Sequence, residues 1–326
     1  MHARLSHADS AAPVRAGEPP LAPSGLALRP VRGIAVRIAG GSVLPVLVVL
    51  AGILLVWYAA AVHLNAPRLI DGYARSQTDW TLRQLIADAW AMERPVLPAP
   101  HQILAELDRT VLQVAPSSRR SLLYHGWVTL SATLLGFLLG TLLGILLAIG
   151  IVHVRTLDRS LMPWVIASQT IPILAIAPMV VVVLGSLGLT GLLPKAIIST
   201  YLCFFPVTIG MVKGLRSPDP LQLDLMKTWS ASAAQTLRLL RWPASLPFLF
   251  ASLKVAVAIS LVGAIVGELP TGAQAGLGAR LLTGSYYGQT VQIWAALVMA
   301  SLLAGGLVGL VGMTQRIVLG RMGAQP

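Results

Sequence analysis

KGLRSPDPLQLDLMKTWSASAAQTLRLLRWPASLP, residues 213–247, is a polar and basic island between two hydrophobic stretches. Ser217–Pro218–Asp219–Pro220 is a turn, and Asp219 is suited to cap a helix that starts near Pro220. On that helix Leu221, Leu225 and Met226 share an apolar side, and Asp224 and Lys227, three residues apart, can pair across one turn. Ser230–Ala231–Ser232 interrupts the pattern. A second helix resumes from Ala233 to Trp242 with Arg238 and Arg241 three apart, and Pro243 and Pro247 mark the entry to the next span. Two readings fit this island: a pair of short surface helices offered to a soluble partner, or an ordinary solvated amphipathic linker.

Outward from the island the chain is apolar. Of its 326 residues 56% are hydrophobic and 11% charged, against about 25% charged in soluble domains. Several stretches approach or exceed the ~20 apolar residues that cross a bilayer, so an all-α, polytopic membrane protein is expected. Six spans are predicted, at about 43–62, 127–152, 161–187, 196–212, 246–266 and 291–311. Residues 1–41, rich in Ala, Pro, Gly and Arg, read as a disordered tail. The first span reads as a retained anchor, because its apolar run exceeds the usual ~7–15 residues of a signal core. Within the loop at 63–126, Leu97–Pro98–Ala99–Pro100 leads into an amphipathic helix with Ile103, Leu104, Leu107, Val111 and Leu112 on one face.

The spans carry their own patterns. Gly136, Gly140 and Gly144 make a flat stripe on the second span, which fits helix packing within one subunit or contact between subunits. The third span holds Pro163, Pro172 and Pro178, with Ser168, Gln169 and Thr170 near its middle. Irregular backbone at membrane depth is tolerated where it meets protein or a water-filled cavity. Lys254 and Glu268 lie towards the two ends of the fifth span. Each fits either a side chain snorkelling to the interface or a part in gating or coupling.

Charge sets the expected orientation. With the amino terminus inside, segments 1–41, 153–160, 213–245 and 313–326 carry 14 Lys or Arg, against 2 in the short outer loops 188–195 and 267–290. Loops beyond ~60 residues weigh little in this rule, so both termini and the 213–245 loop are expected in the cytoplasm. The net charge of +12 is scattered as single residues, without the dense basic run of a nucleic-acid surface. The chain has no HExxH, no GxSxG and no GxxxxGK[ST]. No catalytic residue, metal ligand set or nucleotide site is assigned. The six histidines all fall outside the expected spans. The glycines at 272, 276 and 278 read as a flexible outer turn, and the single Cys203 as a small buried hydrophobe.

The chain resembles the permease subunits of type I ATP-binding-cassette (ABC) importers, in the nitrate/sulfonate/taurine branch. That family carries a cytoplasmic loop of pattern E-A-A, three residues, G. Here the glutamate falls on Asp224, the alanines on Leu225 and Met226, the glycine on Ser230 and a closing proline on Pro243. Leu97–Pro100, the 172–178 region, Ser217–Pro220, Leu246–Pro247, Lys254, Glu268 and Gly276–Leu277–Gly278 also look like this branch in order and spacing, so that the resemblance covers about residues 95–315.

The resemblance implies a type I ABC transporter transmembrane domain at 121–315, preceded by a first helix at 42–62 and an outer loop at 63–120, and followed by a tail at 316–326. It implies that Asp224, Lys227, Ser230, Ala231, Arg238 and Pro243 belong to helices that couple to a cytoplasmic ABC ATPase dimer. ATP would be bound on that subunit and no cofactor on this chain. The other implied partners are a second permease copy, with the glycine stripe in the core of the dimer, and an external solute-binding protein. That protein would meet outer-loop residues around Glu268, Gly276 and Gly278. The setting is a bacterial inner membrane. Ser168, Gln169, Thr170 and Tyr201 are candidates for a pathway that suits a small polar solute, pyrimidine-like or of the sulfonate, nitrate or taurine kind. A secondary transporter or channel, and a membrane anchor for a cytoplasmic enzyme, are the alternatives.

Overall fold

The computed structural model describes residues 43–270 and 273–322, and the expectations for the 1–41 tail and Gly272 lie outside them. The chain divides into two units, residues 1–52 and 53–326. Of the first, only the opening turns of the first helix are described. The described residues form helices α1 (Val43–Ser76), α2 (Leu82–Ala91), α3 (Pro100–Asp108), α4 (Leu122–His153), α5 (Arg155–Ser168) and α6 (Ile173–Ser186). After these come α7 (Leu192–Leu215), α8 (Pro220–Thr228), α9 (Ala233–Glu268), α10 (Leu277–Tyr286) and α11 (Thr290–Arg321).

Five of these, α1, α4, α7, α9 and α11, are long and apolar enough to cross a bilayer. The sixth expected span is α5 and α6 together, bent by 99° at residues 169–172. Its break has a local cause. Pro172 has no N–H to continue the ladder, and the Ser168 and Thr170 hydroxyls turn back to the carbonyls of Val165 and Ala167 at 2.7 and 2.8 Å. Pro163 and Pro178, each inside one half, do not end it.

Other boundaries also move. The first helix runs 34 residues to Ser76, beyond the expected end at Val62. At 1.5 Å per residue that is about 51 Å, well over the ~30 Å hydrocarbon core. Its far half is tied to the connection that follows α2. Buried Asn65 donates to Ala89 O and Leu97 O and accepts from Val96 N at 2.7 Å. Trp57 Nε1 donates to Pro98 O, and its ring meets Trp294 of α11 at 4.9 Å. The amphipathic helix expected after Pro100 is α3, extended by a π-helical turn at Arg109–Gln113. Ile103 is buried among Leu122, Leu277, Ala295 and Ala296, with Leu107 and Val111 packed on that core.

At the centre lies α7, flanked by α4 on one side and α9 on the other. Small residues set both distances. A Cβ on Gly136 would come 2.2 Å from Ser199 Cβ, on Gly140 2.8 Å from Cys203 Cβ, and on Gly144 2.8 Å from Val207 Cβ. The glycine stripe is therefore filled by α7 of the same chain: of its two readings, packing within one subunit is the one seen, and the implied place in the core of a dimer is corrected. From the other side, Gly263 faces Ser199 Cα, where a Cβ would stand at 2.8 Å, and Gly267 faces Lys195 Cα at 3.1 Å. Hydroxyls cross the α4–α9 and α7–α9 seams: Ser260 Oγ donates to Thr133 O at 2.9 Å and Ser199 Oγ to Ser260 O. In hydrocarbon, where burial of apolar surface does not drive helices together, such close packing and hydrogen bonding supply the association.

Gly136→Val should force α4 and α7 apart. We expect a lower unfolding midpoint of the detergent-purified protein, for a cost of at least about 1–3 kcal/mol as for overpacking in general. Gly305→Ala, where a Cβ meets nothing within 4 Å, should leave the midpoint unchanged.

Candidate functional site

Two places combine chemistry with exposure or buried charge, at opposite ends of the α4–α7–α9 core. The first lies where α9 ends and α7 begins. Glu268, the last residue of α9, is fully buried. A carboxylate at a helix carboxyl end meets the negative pole of the dipole, so it needs strong partners nearby. Lys195 Nζ lies 3.3 Å from Oε1 and donates also to Ala275 O at 2.9 Å. Thr129 Oγ1 of α4 sits 3.0 and 2.9 Å from the two carboxylate oxygens and accepts Leu277 N–H at 2.8 Å. Gly278 N–H donates to Oε2 at 2.9 Å.

The segment before α10 is built for this carboxylate. Gly276 has φ +127°, in the region glycine favours, and a Cβ there would stand 2.1 Å from Glu268 Cδ. Leu277 is buried, and a Cβ on Gly278 would stand 2.3 Å from Ile265 O. His125 Nδ1 accepts Gly276 N–H at 3.0 Å, and its Nε2 is 2.9 Å from Arg119 O, so the ring proton sits on Nε2. Three helices, α4, α7 and α9, and the 275–278 segment are thus tied to one buried ion pair.

This corrects three expectations. Glu268 is not a carboxylate snorkelling to an interface; it is enclosed by α4, α7 and the turn at 276–278. Lys195 is no outer-loop charge, because α7 begins at Leu192 and buries it. His125 lies inside helix α4, which starts five residues before the span expected from hydropathy. The sequence shows Lys195 four residues after the Gly191 turn and next to an apolar run, but nothing local says that a carboxylate 73 residues away will meet it. Lys254, also in α9, is half-buried, with its Cε 3.8 Å from where a Cβ on Gly312 of α11 would stand.

Next to this pair a cavity of about 760 Å³ opens between α4, the end of α6, the start of α7 and residues 273–275. Tyr124, Trp127, Ser131 and Gln274 line it together with Lys195. The other pathway candidates lie elsewhere. Ser168, Gln169 and Thr170 form the bend between α5 and α6, where Tyr201 of α7 donates its hydroxyl to Ser168 O.

At the opposite end, the 213–247 segment takes a defined shape. Asp219 caps α8 by accepting Leu221 N–H at 2.8 Å, and Gln222 reaches back to Asp219 N. Lys227 Nζ meets Asp224 Oδ1 at 2.8 Å. The chain then turns at Ser230, whose φ of +52° is left-handed, a conformation that costs a residue with a side chain more than it costs glycine. Ser230 stands where the family loop has its glycine, and the turn forms regardless. Ser232 caps α9, accepting Gln235 N–H while Gln235 accepts Ser232 N–H. From there α9 is continuous through a π-helical turn at Leu237–Arg241 to Glu268. Pro243 and Pro247 sit inside this helix and do not mark a break at the entry to the span. Arg241 Nη1 donates to Leu215 O at 2.8 Å and pins the loop to the end of α7. Arg238 is exposed, Ala231 half-exposed, and Leu221, Leu225, Trp229 and Leu239 present bare apolar surface.

Among the described residues, the long apolar helices, the buried pair, the glycine-set core and the capped loop describe a polytopic membrane subunit. Residues 140–322, more than half of the chain, match the family of the binding-protein-dependent transport system inner membrane component, and the chain belongs to that family. It is 35% identical to the riboflavin transport system permease protein RibX of Chloroflexus aurantiacus, over 61% of this chain and 72% of that protein. It is 31% identical to the formylaminopyrimidine transport permease protein ThiX of Halalkalibacterium halodurans, over 56% and 68%. It is 24% identical to the putative aliphatic sulfonates transport permease protein SsuC of Bacillus subtilis, over 66% and 74%. The chain is a type I ABC importer permease and a transport component, not an enzyme.

Lys195→Met leaves Glu268 buried without its counter-ion. Breaking a buried pair from one side typically costs about 3–5 kcal/mol. The double variant Lys195→Met/Glu268→Gln removes both charges and should recover a large part of that loss. Unfolding of the purified single and double variants in detergent reads the coupling as a double-mutant cycle.

Proposed function

We propose that this chain is the membrane half of an ATP-driven importer for a small polar solute delivered by an external binding protein. In this reading α8 and the first turns of α9 dock on a separate cytoplasmic ATPase. The observation that carries it is the 213–247 segment: two capped helices joined by a strained turn, with Leu221, Leu225 and Trp229 bare. Exposed apolar side chains on a rigid, polar-flanked projection mark a protein contact. The chain has no phosphate loop of its own, so a partner must hydrolyse the nucleotide.

Because α9 is one helix from Ala233 to Glu268, a push on the docked end would be carried along it to the Lys195–Glu268 end. That makes α9 the lever between ATP hydrolysis and the opposite face. Asp224, Lys227, Ser230, Ala231 and Arg238 would lie at or beside the contact, and Pro243 within the lever. The Lys and Arg excess supports an orientation with this loop and both termini on the cytoplasmic side of a bacterial inner membrane. Two permease copies would work together, and the solute would be pyrimidine-like or of the sulfonate, nitrate or taurine kind.

The test is co-purification of the ATPase with the tagged permease. Leu221→Asp/Leu225→Asp and, separately, Asp224→Arg should each reduce ATPase recovery and ATP-driven uptake by at least about tenfold, equivalent to ~1.4 kcal/mol of contact energy. The unfolding midpoint of the permease should not change. Uptake that persists in vesicles without any ATPase, driven by an ion gradient, would sink the proposal.

A further inference from the structure

We infer that the cavity between α4, α6, α7 and residues 273–275 is a solute-binding subsite, and that it takes an uncharged, planar, carbonyl-bearing heterocycle rather than an organic anion. The inference rests on the importer reading and deepens it. The cavity measures about 760 Å³, within the ~300–1,000 Å³ of small-molecule sites. Its wall combines two aromatic side chains, Tyr124 and Trp127, with the hydroxyl of Ser131 and the amide of Gln274. Ring faces suit a flat π-system; the Gln274 amide supplies donors and an acceptor, and the Ser131 hydroxyl, which donates to Val128 O at 2.8 Å, adds an acceptor.

Lys195 decides between the solute classes. An ammonium has three N–H donors. Two of those on Lys195 are taken by Glu268 Oε1 and Ala275 O. The third has no protein acceptor among the described residues, and Lys195 lines the cavity while its side chain is only 9% exposed. A donor this buried gains from an acceptor that a solute brings, because a desolvated N–H left unpaired costs free energy. Its charge, however, is already balanced by Glu268 at 3.3 Å. An anion entering the cavity would add a second negative charge beside that carboxylate with no further cation among the described lining residues. A neutral carbonyl oxygen accepts the spare N–H without that repulsion.

Ser131→Cys places a nearly isosteric thiol in the cavity, and the chain's own Cys203 is buried, with the unsubstituted permease giving the background labelling rate. In the complete transporter in proteoliposomes, the rate at which a membrane-impermeant maleimide labels the introduced thiol is measured alone and with riboflavin, formylaminopyrimidine or ethanesulfonate. Slower labelling with riboflavin or formylaminopyrimidine and not with ethanesulfonate is the expected result. Protection by ethanesulfonate, or by none of the three, overturns the inference. Trp127→Ala, a change at an exposed side chain, should raise the half-protecting concentration about tenfold, given the ~1–3 kcal/mol that stacking on an aromatic contributes. An unchanged half-protecting concentration also overturns it. ATP-dependent uptake by the same vesicles reports separately on the importer reading: uptake without protection rejects the subsite alone, whereas loss of ATP dependence rejects the importer.

Discussion

Glu268 ends α9 inside protein, at a point where neither water nor lipid headgroups can stabilise its charge. Everything around that end follows from this. Lys195 must be buried with it, so α7 has to start close by. Thr129 must face it, so α4 has to pass within hydrogen-bond reach. The backbone at 276–278 must wrap over the carboxylate, which only a residue without Cβ at 276 allows. Removing any one partner leaves a buried charge or a buried N–H without its bond, and such a loss is far larger than the net gain from forming an ordinary hydrogen bond. The pair therefore acts as a constraint on where three spans and one connecting segment sit.

The close approach of the same three spans is set by glycine and serine rather than by large side chains. Gly136, Gly140 and Gly144 on one side and Gly263 and Gly267 on the other leave α7 no lateral freedom. Helices in such close backbone contact transmit displacement, since close-packed interiors have low compressibility. At the opposite end the chain does the reverse. The 213–247 segment keeps several apolar side chains outside and its polar groups in caps and one ion pair, so it is held in shape without burying them. One continuous helix, α9, runs from this exposed apolar loop to the buried charge pair, as the proposed lever requires.

Much of this was legible from the residues. Hydropathy placed the spans, Asp219 and Pro220 announced the start of α8, and the Asp224–Lys227 pair sat where three-residue spacing puts it. Ser230 was harder. Its left-handed φ could be suspected only because the family pattern has glycine there, since serine carries no local demand for it. Pro243 and Pro247 do not mark a boundary: both lie within α9, after its π-helical turn at Leu237–Arg241. The break at 169–172 was half visible, as three prolines in one span, but which of them bends the chain depends on side-chain hydroxyls competing for backbone carbonyls.

The limits of one-dimensional reading are clearest at Lys195. Hydrophobicity and helix periodicity are properties of neighbouring residues, so class, span number, caps and the projecting loop could all be read along the chain. The meeting of Lys195 with Glu268, the filling of the glycine stripe by α7 and the cavity beside Trp127 join residues tens of positions apart. Their energies come from contact and desolvation in the folded core. No local pattern encodes those, and they appear only when the helices are brought together.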